Sequence, residues 1–319
     1  MLSTESTAGK EPQEGLGEDL YGLASVQGPR PSHEDAHLVV ESGALGMDAV
    51  SAFGVFDGFG GSEISTMLSK TVLEEVQEAM KEYKVNTEDP SGRHNAELIA
   101  LSMRDGFLKL DEKMVDLEAE SGSTLVMMLM TPTHLVIANV GDSRFMLSSK
   151  NGTSMFTTKD HKPTDEKEFA RIVNTAGGFV EYGRVNGRLA VARAFGASYF
   201  KKDPSRGPLE QAVTPEPDLF IFERSDLHDF AILGSDGLWD VFSPHQIIGN
   251  VVPFIKPEPT RAAPDAKDDS EAFWAWFAAN PTAARPSNLR NLNDVSMQLC
   301  VDSLNRGSTD NVTALIIKF

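Results

Sequence analysis

The chain has 319 residues, 40% hydrophobic and 24% charged, a composition that specifies a globular protein with a large core and a length between one large domain and two. Its formal net charge of −18 argues against a nucleic-acid partner, which needs a basic footprint. That charge suits either a protein that concentrates cations or an acidic surface that only confers solubility. The single cysteine, Cys300, excludes an intramolecular disulfide and a thiolate metal cluster, and favours reducing surroundings.

Residues 1–18 are polar and acidic, lack a signal-peptide core and are expected to be disordered. The apolar runs are far short of a membrane span, so no membrane partner is expected and the localisation expected is cytoplasmic or nuclear. Residues 21–27, 36–40 and 51–56 read as strands, the first two flanking a polar turn that carries Arg30, Glu34 and Asp35. Ile64, Leu68, Val72, Val76 and Met80 recur every four residues, which predicts one face of an amphipathic helix. Residues 84–93 read as a loop, and Ile99, Met103, Phe107, Leu110, Met114 and Leu117 mark a second long helix. Strands follow at 123–130 and 135–140, then at 144–148 and 153–157 across the hairpin signal Asn151-Gly152.

Thr164 is placed to cap a helix through Asp165, closed at Gly177-Gly178. Residues 179–217 read as loop with a short element at 188–193. Strands at 219–222 and 230–233 precede a helix opened by Ser243-Pro244. Residues 253–293, rich in Pro, Ala and Asp, read as an insertion whose apolar centre, Phe273-Trp274-Ala275-Trp276-Phe277, is expected to dock. A helix at 295–304 and a strand at 312–319 finish the chain. Many antiparallel strands with interspersed helices predict sheets packed on each other with helices outside.

Twice an apolar run stops at Asp-Gly: Val55-Phe56-Asp57-Gly58 and Leu233-Gly234-Ser235-Asp236-Gly237. A third acid, Asp310, sits with Asn311 before the last strand. Asp57, Asp236 and Asp310 are therefore expected to meet and hold divalent ions. An all-oxygen set selects hard cations such as magnesium, manganese or calcium. Asp-Gly is also a common turn, which is the competing reading of each pair. Arg30 suits a phosphate as a two-pronged donor, or is a solvent-exposed arginine. Glu34 is placed to face a metal-bound water, and Asp35 to orient Arg30 or cap a turn. Asp160 reads as an outer-metal ligand or a loop residue, Asp142 as a structural turn, and Trp239 and Phe242 as core. His161 and Lys162 receive no role.

With these residues in view, the sequence resembles the metal-dependent serine/threonine protein phosphatases of the type 2C family. The resemblance is carried by Arg30 with Glu34-Asp35-Ala36-His37, Val55-Phe56-Asp57-Gly58, Ser121-Gly122-Ser123-Thr124, Gly141-Asp142-Ser143-Arg144, Asp160-His161-Lys162-Pro163, Gly177-Gly178, Ser235-Asp236-Gly237 and Thr309-Asp310-Asn311. It implies an α+β fold of four layers, two central antiparallel sheets flanked by helices, forming one catalytic domain over 19–319. It also implies two magnesium or manganese ions on Asp57, Asp236, Asp310 and the Gly58 carbonyl, and a third, looser ion on Asp160. Arg30 would hold the substrate phosphate and Glu34 would act through water. The substrate would be a phosphorylated protein, attacked directly without a phosphoenzyme, by a monomer. The sequence departs from the family at Phe59, where a general-acid histidine is usual, at Ala197, where aspartate is common, and at the 253–293 insertion. A slowed phosphatase is expected, with a pseudophosphatase scaffold as the alternative; a two-metal nuclease is disfavoured by charge.

Overall fold

The computed structural model describes residues 20–255 and 291–319. The expectations for residues 1–18 and for Phe273 to Phe277 lie outside the described residues.

Ten strands form two five-stranded sheets. The first has the order β13-β7-β6-β3-β2, built from Asp218–Glu223, His134–Val140, Leu125–Met130, Ser51–Phe56 and Ala36–Val40. The second has the order β1-β15-β14-β8-β9, built from Tyr21–Val26, Val312–Lys318, His228–Gly234, Arg144–Ser149 and Ser154–Thr157. Every neighbouring pair is antiparallel. Successive side chains along a strand point to opposite faces, so a strand buried on both faces feeds two cores. Phe53 and Val55 of β3, Val126 and Met128 of β6, Phe145 and Leu147 of β8, and Leu315 and Ile317 of β15 fill the layer between the sheets. The alternate residues face outward onto helices.

On the first sheet, Ala52, Phe56, Met127 and Leu129 pack against α1 (Glu63–Tyr83) and α2 (Arg93–Asp116). The four-residue rhythm of Ile64 to Met80 is the buried face of α1. On the second sheet, Phe230, Ile232, Ala314 and Ile316 pack against α4 (Asp236–Trp239), α5 (Pro244–Ile255) and α6 (Leu292–Asn305). The four-layer α+β arrangement anticipated from the motifs is the one found. Among the described residues, no helix is long and apolar enough to cross a membrane.

Residues 159–217 stand apart from the layers. They contain α3 (Glu166–Asn174), a small hairpin of β10 (Val180–Glu181) and β11 (Arg184–Val185), and β12 (Phe195–Gly196), which joins a three-stranded sheet with β4 (Gly58–Phe59) and β5 (Gly122–Ser123). This segment holds three corrections. Residues 188–193 form neither helix nor strand, only single bridges of Val185 to Leu189 and Arg193 to Thr214, while the hairpin lies just before them. Asp165, not Thr164, occupies the N-cap of α3, and its carboxylate pairs with Lys159 Nζ at 2.7 Å instead of capping. The helix stops at Asn174, ahead of the two glycines, where Thr175 turns extended and its hydroxyl donates to the Arg171 carbonyl at 3.1 Å. At the expected insertion, residues 253–255 form the last turn of α5 and Asn291 caps α6, accepting the Asp294 N–H at 2.9 Å.

Candidate metal centre

Strand β3 is apolar to its last residue and delivers Asp57 to the end of its sheet. The backbone there is pinned to the start of β6: Thr124 N–H donates to the Asp57 carbonyl at 2.9 Å, and Asp57 N–H to Thr124 Oγ1 at 3.3 Å. Gly58 permits close approach, since a Cβ at that position would lie 2.3 Å from the Glu34 carbonyl oxygen. From the second sheet, β14 ends at Gly234 and Asp236 opens α4, its N–H directed at Asp57 Oδ2 at 3.4 Å. The turn between β7 and β8 brings in Asp142. Gly141 there has φ +105°, and a Cβ would meet Thr124 Cγ2 at 2.7 Å, so the turn needs glycine.

Oxygen atoms of Asp57, Asp142 and Asp236 lie within 4.8 Å of one another. They sit in a cleft of about 610 Å³ that is also lined by Arg30, Glu34, Phe59, Lys162 and Asp310. Burial raises the pKa of all three acids. Asp57 goes well above the ordinary range, through burial first and then the charges of Asp236, Asp35, Asp142 and Asp310. Asp236 is pushed up to about 8 by burial, then by Asp142, Asp310, Asp240 and Asp35. Asp142 is raised by burial against the opposing pull of Lys162, whose Nζ is 2.5 Å from Asp142 Oδ2.

The donor chemistry fits a hard divalent cation. Among the described residues, neither Asp57 nor Asp236 has a lysine or arginine nitrogen within 4.0 Å. Two half-buried carboxylates without counter-charge are costly to keep ionised so close together, unless they protonate or share a cation.

The other expected residues fall nearby with different partners. Asp310 lines the cleft and adds to the field on Asp57 and Asp236, but its carboxylate is ion-paired with the half-exposed Arg30 guanidinium. Arg30 Nε donates to the Thr309 carbonyl at 3.1 Å. Glu34 accepts from Gly61 N–H at 3.1 Å and from the Ser32 hydroxyl at 2.7 Å. Asn311 clamps the turn that carries both: its Oδ1 takes the Glu34 N–H at 2.8 Å, and its Nδ2 donates to the Gln27 and Ser32 carbonyls at 2.7 and 3.0 Å. Asp35 lies beneath, half-buried, with its pKa raised to about 6 chiefly by desolvation; it accepts from the Thr313 hydroxyl at 2.6 Å. Asp160 lies outside the trio and is held by two parallel bonds from Arg144, at 2.5 and 2.9 Å.

In the sequence Asp142 reads as a structural turn and Lys162 receives no role; the structure brings Asp142 into the carboxylate trio and Lys162 to its side. The available signal was a carboxylate after an apolar strand and a glycine, the feature that singled out Asp57. His161 also gains a place: its Nδ1 accepts the Gly141 N–H at 3.0 Å and so steadies the Asp142 turn. Phe59 lines the cleft with its ring against Gly122, where a Cβ would be 2.4 Å from its ζ carbon, and against the apolar cluster of residues 159–217.

A four-layer α+β sandwich with an acidic, all-oxygen centre at the ends of its strands defines a class, and comparison with known proteins agrees. Residues 19–272 match the family described as Protein phosphatase 2C. Protein phosphatase 1B of Mus musculus is 34% identical over 313 residues, covering 96% of this chain and 72% of that protein. Protein phosphatase 1A of Homo sapiens is 39% identical over 249 residues, covering 75% of this chain and 63% of that one. A solved phosphatase from Toxoplasma gondii shares the fold at 21% identity, with a TM-score of 0.69 and coverage of 94% of this chain and 92% of that chain. The chain belongs to the protein phosphatase 2C family. It spans 72% of the mouse relative but 58% of the human Protein phosphatase 1B.

Proposed function

We propose that the protein is a divalent-metal-dependent protein serine/threonine phosphatase. The observation that carries this reading is the trio Asp57, Asp142 and Asp236, gathered within 4.8 Å and short of counter-charge, in a cleft that also holds Arg30. Asp57 and Asp236 would hold two magnesium or manganese ions, with Asp142, Asp310 and the Gly58 carbonyl beside them. An outer third ion at Asp160 would have to displace Arg144. When bound, such ions supply Lewis acidity towards a phosphoryl group and acidify water.

The chain's own residues do the rest. Arg30 offers a planar pair of N–H donors to a phosphate, and its present partner Asp310 keeps it at the cleft. Glu34, fixed by Gly61 and Ser32, presents a carboxylate that accepts a proton from water in the cleft. Phe59 offers no proton to a departing serine or threonine oxygen, and a positioned general acid is worth about 10²–10⁴-fold. The substrate would be a phosphorylated protein, and turnover would be slow. A pseudophosphatase scaffold is the second reading, favoured by the Phe59 ring at the place of the acid.

The test is turnover with manganese on p-nitrophenyl phosphate and on a phosphothreonine peptide, together with a calorimetric manganese titration. Turnover of both, lost in Asp236→Asn, is expected, with the larger deficit on the peptide. Phe59→His should raise peptide turnover by at least about tenfold and leave the aryl ester little changed. Failure to bind manganese or to turn over either substrate would leave only the scaffold.

A further inference from the structure

Two arginines in the cleft have no part in that reading. Arg184 opens β11, the second strand of the β10–β11 hairpin, and Arg188 follows four residues later; both are exposed and both line the cleft that holds the carboxylate trio. The loop between them is closed on itself. Val185 N–H donates to the Leu189 carbonyl at 2.8 Å, Arg188 N–H to the Val185 carbonyl at 3.0 Å, and Arg184 Nη1 to the Arg188 carbonyl at 2.8 Å. Val185 and Leu189 anchor the loop in an apolar cluster.

The Arg188 guanidinium lies over the Tyr199 ring, 4.7 Å from its centroid. Stacking on a ring face restrains the side chain and leaves the N–H edges of the fork unused. Among the described residues, neither guanidinium has a carboxylate oxygen within 4.0 Å. In a chain with 47 acidic against 29 basic side chains, two such cations at one cleft mark a place where the counter-charge comes from elsewhere. Arg30 is paired with Asp310 and assigned to the phosphate that is cleaved, and Lys162 is paired with Asp142, so Arg184 and Arg188 are the cations of the cleft without a carboxylate partner or an assigned role.

We propose that Arg188, supported by Arg184, is a specificity-determining residue that binds a second anionic group of the substrate, close to the phosphoester that is cleaved. The second group is a carboxylate or another phosphate; both present paired oxygens to a planar fork. The proposal rests on the phosphatase reading for the identity of the substrate, but its test does not require turnover.

Three labelled peptides carry a non-hydrolysable phosphonate in place of phosphothreonine, with neutral flanks, with flanking glutamates, or with a neighbouring non-hydrolysable phosphonate analogue of phosphoserine. Their affinities are measured by fluorescence anisotropy with manganese present, alongside kcat/KM for p-nitrophenyl phosphate. The wild-type protein should bind at least one doubly anionic peptide about tenfold more tightly than the neutral one, the scale of a charge-assisted pair at an exposed site. Arg188→Ala should equalise them, and Arg188→Lys should restore only part, since an ammonium lacks the fork. The aryl ester should be turned over equally by all three proteins. A gain confined to the peptide with two phosphonates assigns the second group as phosphate, and an equal gain with glutamates assigns it as any carboxylate-like anion. If Arg188→Ala keeps the preference, or weakens the neutral peptide as much as the charged ones, the proposal is overturned. Absence of aryl phosphate turnover in the wild type would count against the phosphatase reading alone, because the binding comparison would still decide the role of Arg188.

Discussion

In the sandwich, Phe53, Phe145 and Leu233 meet between two sheets with no exposed surface, in a large apolar cluster. In residues 159–217 the apolar cluster is small, mostly valine and alanine, and the segment is tied down by buried ion pairs. Glu168 takes bonds from both Arg171 and Arg193, and Arg193 reaches on to Asp218 of β13 at 3.1 Å. Lys201 and Asp111, 4% and 5% exposed, join the segment to α2 at 2.6 Å, and Asp111 also accepts the Gly196 N–H at 2.8 Å. Packing holds one region and directional charge holds the other. Apolar packing tolerates approximate fit, whereas a buried ion pair demands both partners.

That contrast can be broken at either end. Phe53→Ala removes a ring from the inter-sheet layer and should cost about 3–5 kcal/mol, read as a drop in the midpoint of global chemical unfolding. Lys201→Met leaves Asp111 buried without its partner. The expected cost is about 3 kcal/mol, at the lower end for a broken buried pair, because burial already raises the Asp111 pKa and the acid can escape by protonating. The loss should appear first as faster hydrogen exchange within residues 159–217, and Lys201→Met with Asp111→Leu should recover much of it. A uniform gain in exchange over the whole sandwich would contradict the division.

The third prediction concerns the acids where the two regions meet. Asp236 has its folded pKa raised from 3.8 to about 8, so the folded state binds a proton that the unfolded chain releases. Without added divalent ions, stability should therefore rise as pH falls from 8 to 6, by about 2 kcal/mol, and be lost as pH climbs through 8. Asp35, raised to about 6, extends the same trend below pH 6. The denaturation midpoint at pH 6 and at pH 8, in wild type and in Asp236→Asn, checks this; an equal pH slope in both proteins would refute it.

The same division explains what could be read in the sequence. The unbroken apolar runs of β3, β6, β7, β14 and β15, bounded by turn residues, and the four-residue rhythm of α1 leave local traces, so the sandwich was legible nearly to its element ends. Apart from α3, residues 159–217 have no such trace. Their hairpin strands are two residues long, and their anchors are charged residues whose partners lie as far away as Asp111 is from Lys201. At the site, Asp57 and Asp236 were visible because each ends an apolar strand beside glycine. The closeness of Asp142 and the attachments of Asp310 to Arg30 and of Asp160 to Arg144 are products of tertiary placement, which no local pattern encodes.

The two-sided strands carry a consequence for how this chain can change. Each residue of β3 belongs to one core or the other according to parity, and Asp57 follows directly on that count. One residue added within β3 would transpose Phe53 and Val55 with Ala52 and Gly54. It would also carry the acid about 3.3 Å onward and turn it to the opposite side of the sheet, away from Asp236. Length variation is therefore barred from the strands and confined to connections such as 84–92, where α1 passes to α2.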